Sequence, residues 1–189
     1  MRMTLNPDSK KTQRSNTSAT YLKLAQMDSV KPGPMVLDYG SGKGHGTLIL
    51  KNHWSLSTVH SYEPFPDGNP DFTHIDQIPH NCYDVIVCFN VLNVIQGHGQ
   101  RAMIISNLLN CLNPEGQAII GVRTVQNVAA FTKTATSCGD AEWEYPNGSF
   151  QKGFTKEILE SEVLSDSRTR IQRYIKGLNP LTIVITKGN

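Results

Sequence analysis

Between positions 38 and 46 the chain reads Asp38-Tyr39-Gly40-Ser41-Gly42-Lys43-Gly44-His45-Gly46, with glycine at every second position from 40 onward. Missing Cβ atoms let backbone approach a ligand closely, and a helix that starts there offers N–H donors with no partner inside the helix. A dinucleotide turn of the form Gly-x-Gly-x-x-Gly would need glycine at 45, where His45 stands. A phosphate loop would need Ser or Thr after the lysine, but Lys43 is followed by Gly44. Asp38, two residues before Gly40, brings negative charge to the same place. A carboxylate there repels a pyrophosphate and suits a ligand carrying an ammonium or a sulfonium. Glu63 lies 25 positions beyond Asp38, at the end of the next β-rich run, where an acid can accept both hydroxyls of a ribose.

The elements that must position these residues alternate. Met35 to Tyr39 is a short apolar run that breaks into the glycine turn, and Leu48, Ile49 and Leu50 follow in helical context. Ser57 to Tyr62 reads as a second strand, Phe72 to Ile75 as a short third, and Tyr83 to Phe89 as a strand covered on both faces. Met103, Ile104, Ile105, Leu108, Leu109 and Leu112 form a helical stripe stopped by Asn113-Pro114-Glu115-Gly116, after which Gln117 to Arg123 reads as another strand. Near the end, Phe154 to Leu164 reads as a helix with Thr155 as N-cap. Thr169–Ile175 and Leu181–Thr186 are then joined by too few residues for a crossover helix, so they pair antiparallel. The pattern predicts one doubly wound α/β sheet, mostly parallel, of seven strands or slightly fewer, closed by an antiparallel hairpin.

With that hairpin, the glycine turn, Asp38 and Glu63 together point to S-adenosylmethionine. Val36-Leu37-Asp38-Tyr39-Gly40-Ser41-Gly42-Lys43-Gly44 resembles motif I of class I methyltransferases, and Glu63-Pro64 resembles their acidic loop. Tyr83-Asp84-Val85-Ile86 resembles their fourth strand, and Asn113-Pro114-Glu115-Gly116 the turn before the fifth. More narrowly, Leu37-Asp38-Tyr39-Gly40, Asn90-Val91-Leu92-Asn93-Val94-Ile95 and Val122-Arg123 resemble methyltransferases of phages and of DNA phosphorothioation loci. The resemblance implies a Rossmann-like methyltransferase fold and methyl transfer by in-line displacement to a nucleic acid or a small molecule. It implies cofactor contacts from Asp38, Tyr39, Gly40, Ser41, Gly42, Gly44, Glu63, Pro64, Asn90 and Val91, with Asp76 and Gln77 on the adenine side. One departure stands out: about twenty residues separate the second strand from the fourth, so the usual helix between them is absent or a single turn.

Acceptor chemistry is expected after the strand that ends at Phe89, where Asn90-Val91-Leu92-Asn93 holds no carboxylate. Asn93 is the candidate for orienting the acceptor, and a helix cap is its other reading. Residues 124–152 form an insertion too long for an ordinary connector. Its Trp143 could stack on an acceptor, or its aromatics could simply patch the core. Arg123, at its start, is the candidate acceptor-anchoring cation.

Composition narrows the classes. The 189 residues carry 18 basic and 16 acidic side chains and are 38% hydrophobic, which suits one globular domain rather than a disordered or coiled-coil chain. Charge is uneven: Arg2, Lys10, Lys11, Arg14, Lys23 and Lys31 face only Asp8 and Asp28 in the first 34 residues. Residues 1–30 are therefore a basic arm and short helix able to contact nucleic-acid phosphates, or merely a solvated terminus, and residues 31–189 are the main domain. Cys82, Cys88, Cys111 and Cys138 include no Cys-x-x-Cys pair, and the six histidines no His-x-x-x-His, so no metal site is expected. No apolar run nears the ~18 residues of a membrane span, and the first residues lack an export signal, so the expected location is cytoplasmic, in the host if the protein is viral. Besides a methyltransferase, the residues allow a noncatalytic S-adenosylmethionine-binding module and a nicotinamide-dependent enzyme.

Overall fold

The computed structural model describes residues 18–66, 68–130 and 132–188. Strands β1 (Met35–Tyr39), β2 (Thr58–Tyr62), β3 (Tyr83–Phe89) and β4 (Leu112–Val122) run parallel, and β9 (Leu181–Lys187) and β8 (Thr169–Ile175) complete the sheet antiparallel. The order is β2-β1-β3-β4-β9-β8. The central strands are buried on both faces because each alternates its side chains between two apolar layers. Val36, Val85, Val87 and Phe89 pack with Tyr21, Leu24, Leu50 and Trp54, from helices α1 (Ser18–Ala25) and α2 (His45–His53) and the α2 C-cap. On the other face Leu37, Tyr39, Ile86 and Cys88 meet Ile104, Leu108 and Leu159, from α3 (His98–Cys111) and α5 (Lys156–Val163).

Two expectations shift. The third strand reduces to one parallel bridge between Tyr62 and Phe72, followed by a 3₁₀ turn at Ile75–Gln77. The Asp71 carboxylate explains it, because it accepts bonds of 2.8 Å from both the Ser61 amide and the Ser61 hydroxyl and fixes the returning chain to the sheet edge at once. Meanwhile β4 starts directly at the end of α3 rather than at Gln117. Its register jumps from Tyr83↔Leu112 to Val85↔Gln117, so Asn113 to Gly116 form a bulge instead of a turn outside the sheet. Gly116 is required there, since a Cβ would stand 2.6 Å from the Tyr83 carbonyl oxygen.

Thr155 caps α5, its hydroxyl accepting from the Ile158 amide. Residues 124–152 fold into α4 (Val125–Ala129) and a separate antiparallel sheet of β5 (Thr136–Gly139), β6 (Glu142–Glu144) and β7 (Phe150–Lys152). Of the basic arm, Arg2, Lys10, Lys11 and Arg14 lie outside the described residues, whereas Lys23 and Lys31 are exposed. Among the described residues no helix is long and apolar enough to cross a membrane.

Candidate functional site

The glycine turn leaves β1 at the carboxyl edge of the sheet and enters α2. Gly40, Gly42 and Gly44 all have positive φ, at 78°, 56° and 78°, which glycine adopts without strain. Their surroundings differ. A Cβ on Gly40 would lie 2.4 Å from Val91 Cγ2, so Val91 packs on the turn itself. Among the described residues a Cβ on Gly42 or Gly44 would meet nothing within 4 Å, leaving open space before the backbone. The Gly40 and Ser41 amides donate to the Tyr62 carbonyl, locking the turn to the end of β2. Among the described residues no side chain caps the N-terminus of α2, whose cap residue is Gly44. Beside the turn is a cavity of about 160 Å³ lined by Ser41, Gly42, Lys43, Gly44 and Thr47, with Asn69 opposite. Among the expected contacts, Tyr39 offers a ligand only its backbone, since its ring is buried and tilted against Tyr62 at 4.8 Å.

Asp38 takes a different position from the one expected. It is fully buried, and its two oxygens accept from Tyr21 Oη at 2.5 Å and Thr47 Oγ1 at 2.6 Å. The carboxylate therefore underlies the turn as a fixed charge and presents no free face to a ligand cation. Burial raises its carboxyl to about 6, while the Thr47 and Tyr21 hydroxyls hold it down. Neither partner was visible in the sequence as a site residue. Thr47 sits in the first turn of α2, nine positions on, and Tyr21 comes from the helix ahead of the sheet.

Glu63 follows β2 and is nearly buried. Its Oε2 accepts from the Gly42 amide at 2.9 Å and its Oε1 from the Phe65 amide at 3.0 Å. These two bonds fix the carboxylate against the glycine turn. Pro64 and Phe65 lie half-buried beside it. Asp76 is exposed and near enough to join burial and Glu63 in raising the Tyr62 phenol to about 12. Gln77 is a correction: its Oε1 accepts from the Thr73 and His74 amides, both at 2.9 Å, so it closes the 3₁₀ turn instead of facing a nucleobase.

At the end of β3, Asn90 adopts φ of 60° and donates its amide to the Gly121 carbonyl at 2.7 Å. Its side-chain Oδ1 is buried and has no hydrogen-bond partner among the described residues. Asparagine tolerates this left-handed conformation, and it is the orphaned buried carbonyl that sets the position apart. Asn93, expected to orient an acceptor, is fully buried and engaged elsewhere. Its Nδ2 donates to the Lys152 and Arg123 carbonyls at 2.6 and 3.2 Å, and its Oδ1 accepts from the Arg123 amide at 2.9 Å. Both ends of the amide thus tie β4 and β7 to the turn after β3, which is neither acceptor contact nor helix cap.

Asn93 also anchors the insertion. Glu142 and Lys152 pair at 3.0 Å, and Arg101, itself bonded to Glu162 at 2.7 Å, lies 3.5 Å from Glu142. Trp143 is half-buried on β6, opposite Ser137 and Gln151. Gln151 was not anticipated, and its Oε1 is buried without a partner among the described residues. Arg123 is half-buried and close enough to Tyr145 to offset part of the rise that burial gives that phenol. Among the described residues no group of three or more His, Cys, Asp or Glu side chains could hold a metal ion.

A parallel sheet with its glycine turn and acidic partner at the carboxyl edge, completed by a reversed hairpin, is the architecture of class I methyltransferases. The sequence matches the family described as "Methyltransferase domain" over residues 11–157, and the chain belongs to that family. No match is found among curated proteins. Among solved structures, it is similar to the 1,6-didemethyltoxoflavin-N1-methyltransferase of Burkholderia thailandensis, whose crystals hold 1,6-didemethyltoxoflavin and S-adenosylhomocysteine. That likeness has a TM-score of 0.67 at 14% identity, covering 93% of this chain and 80% of that one. An S-adenosylmethionine-dependent methyltransferase of Clostridium acetobutylicum matches at a TM-score of 0.66 and 11% identity, over 93% of both chains. DesVI of Streptomyces venezuelae matches at 0.65 and 12%, over 93% of this chain and 94% of its own. At such identities the likeness is one of fold.

Proposed function

We propose that this protein is an S-adenosylmethionine-dependent methyltransferase whose cofactor lies across the carboxyl ends of β1, β2 and β3. The open space before Gly42 and Gly44, flanked by Glu63 and underlain by Asp38, carries the reading. Backbone N–H groups at the uncapped start of α2 suit the carboxylate of an amino acid moiety. Asp38 supplies negative potential for its ammonium, and Glu63, at the end of β2, is the acid placed to accept from a ribose diol. Phe65 and Pro64 offer apolar surface to a nucleobase, with Asp76 at the rim. Asn90 Oδ1 is an acceptor waiting for an N–H or a polarised C–H, and Val91 shapes the wall against Gly40. The cofactor would supply a methyl group on a sulfonium, already bonded to a good leaving group. What remains for the protein is to orient the two reactants and exclude water, which suits a site with no carboxylate after β3.

The acceptor is a small molecule or a nucleic acid. Arg123, Trp143 and Gln151, on or beside the insertion, are the residues proposed to meet it. The basic arm and the aromatic residues of the insertion favour a nucleic acid. Residues 31–189 hold the proposed cofactor turn and the acceptor insertion, and residues 1–30 join them through α1. A binding module without transfer chemistry is the second reading, favoured by Asn93 having both ends of its amide committed to backbone.

Titration calorimetry with S-adenosylhomocysteine tests the cofactor assignment. Wild type should bind one equivalent, and Glu63→Ala should bind roughly 10- to 100-fold more weakly, as befits lost hydrogen bonds to a charged acceptor. Equal affinity in the two proteins, or binding of NAD instead, rejects the assignment. Cofactor turnover across DNA, RNA and metabolite mixtures then separates enzyme from module.

A further inference from the structure

Asp38 is an ionisable group in full burial, with no cation beside it among the described residues. What stabilises it is a pair of hydroxyl donors, one from α2 and one from α1. The α1 donor is held with care. The Tyr21 ring is 3% exposed and meets Phe89 edge-on, with centroids 5.1 Å apart at 72°. It also presses against Gly46, where a Cβ would stand 2.5 Å from Tyr21 Cζ. Gly46 has no need of positive φ, so the fourth glycine of the turn serves the tyrosine and not a ligand. A glycine inside the first turn of a helix weakens that helix, and the weakness is tolerated where a ring must fit.

We propose that Tyr21 is a positioning residue of the cofactor site, its phenol holding the Asp38 carboxylate ionised and in place beneath the glycine turn, so that helix α1 is a working part of that site. This rests on the cofactor reading above. The groups facing Asp38 are the Tyr21 phenol on α1 and the Thr47 hydroxyl on α2; the Cys88 thiol lies across the sheet on the other face of β3, and the Glu63 carboxylate after β2 acts on Tyr21. Burial pushes the phenol and the thiol well up, so both stay neutral through the pH range in which Asp38 titrates. Removing the Tyr21 hydroxyl leaves Asp38 one donor and makes its proton harder to lose.

The test is S-adenosylhomocysteine affinity, measured by calorimetry from about pH 5.5 to 8.5. In wild type the affinity falls as Asp38 gains its proton. In Tyr21→Phe, which keeps the ring and its packing, the midpoint of that fall moves up by about one pH unit, with affinities converging at the alkaline end. Asp38→Asn and the double variant show no such midpoint. A Tyr21→Phe protein that is uniformly weaker at every pH, with its midpoint unmoved, assigns Tyr21 to helix packing and overturns the proposal. Wild type that binds at no pH overturns the cofactor reading instead. If the variant does not fold, isotope-labelled tyrosine in wild type gives the answer by NMR. The Tyr21 ring resonance should follow the protonation of Asp38 and lose that response in Asp38→Asn, and a resonance blind to Asp38 refutes the link.

Discussion

Replacing Asp38 with Asn should make this protein more stable at neutral pH while it loses affinity for its cofactor. The magnitude follows from the burial of the carboxyl, which carries it from 3.8 to about 6. Because the native state holds the proton more tightly than the unfolded chain, the contribution of Asp38 to stability is greatest below about pH 4. That contribution falls as pH rises through the window up to about 6, and its full penalty is present above that. At 1.36 kcal/mol per pKa unit the difference amounts to about 3 kcal/mol at pH 7. Asparagine removes the charge and keeps the contacts. Its Oδ1 can accept from one of the Tyr21 and Thr47 hydroxyls, and its Nδ2 can donate to the other. A chain of this size gains roughly 2–4 °C in melting temperature per kcal/mol, so the variant should melt about 6–12 °C higher at pH 7. Scanning calorimetry on both proteins between about pH 4 and 8 reads this directly. A gain that shrinks to nothing at the acid end supports the account. A variant that melts lower at pH 8, or a difference that ignores pH, refutes the view that Asp38 is a charge held in place at a cost to folding.

Two more outcomes follow from the same geometry. Gly46→Ala drives a methyl into the Tyr21 ring and should lower stability by about 1–3 kcal/mol in urea titrations, weakening S-adenosylhomocysteine with it; an unchanged midpoint would show that α1 moves aside freely. Asn93→Ala strands the Lys152 and Arg123 backbone groups and should cost about 2–4 kcal/mol, with proteolysis opening first within residues 124–152. Full stability with lost turnover would instead return Asn93 to the acceptor site.

What was legible in the sequence is what local chemistry dictates. Glycines at 40, 42 and 44 announce a turn because positive φ is needed at each. The unbroken apolar run from Val85 to Phe89 announces a strand buried on both faces, and the five residues between β8 and β9 require a hairpin. The residues that escaped are those whose partners are remote. Asn93 reads as acceptor chemistry until its bonds to Arg123 and Lys152, 30 and 59 positions away, are seen. Gln77 looks available until its oxygen is found closing its own turn. Phe72 to Ile75 has the composition of a strand, but Asp71 pins the chain to Ser61 before a strand can form. The β5 residues Thr136-Ser137-Cys138-Gly139 are exposed and carry no apolar pattern, so only the pairing with β6 makes them a strand.

The fit of Tyr21 against Gly46 supplies a way to sort relatives by two letters. Any homologue that grows a side chain at the position of Gly46 has no room for the ring, so it must either reroute its leading helix or change the aromatic in concert. Paired substitutions at these two sites, inherited together across a lineage, would trace where the leading helix was recruited to the catalytic half of the protein and where it was let go.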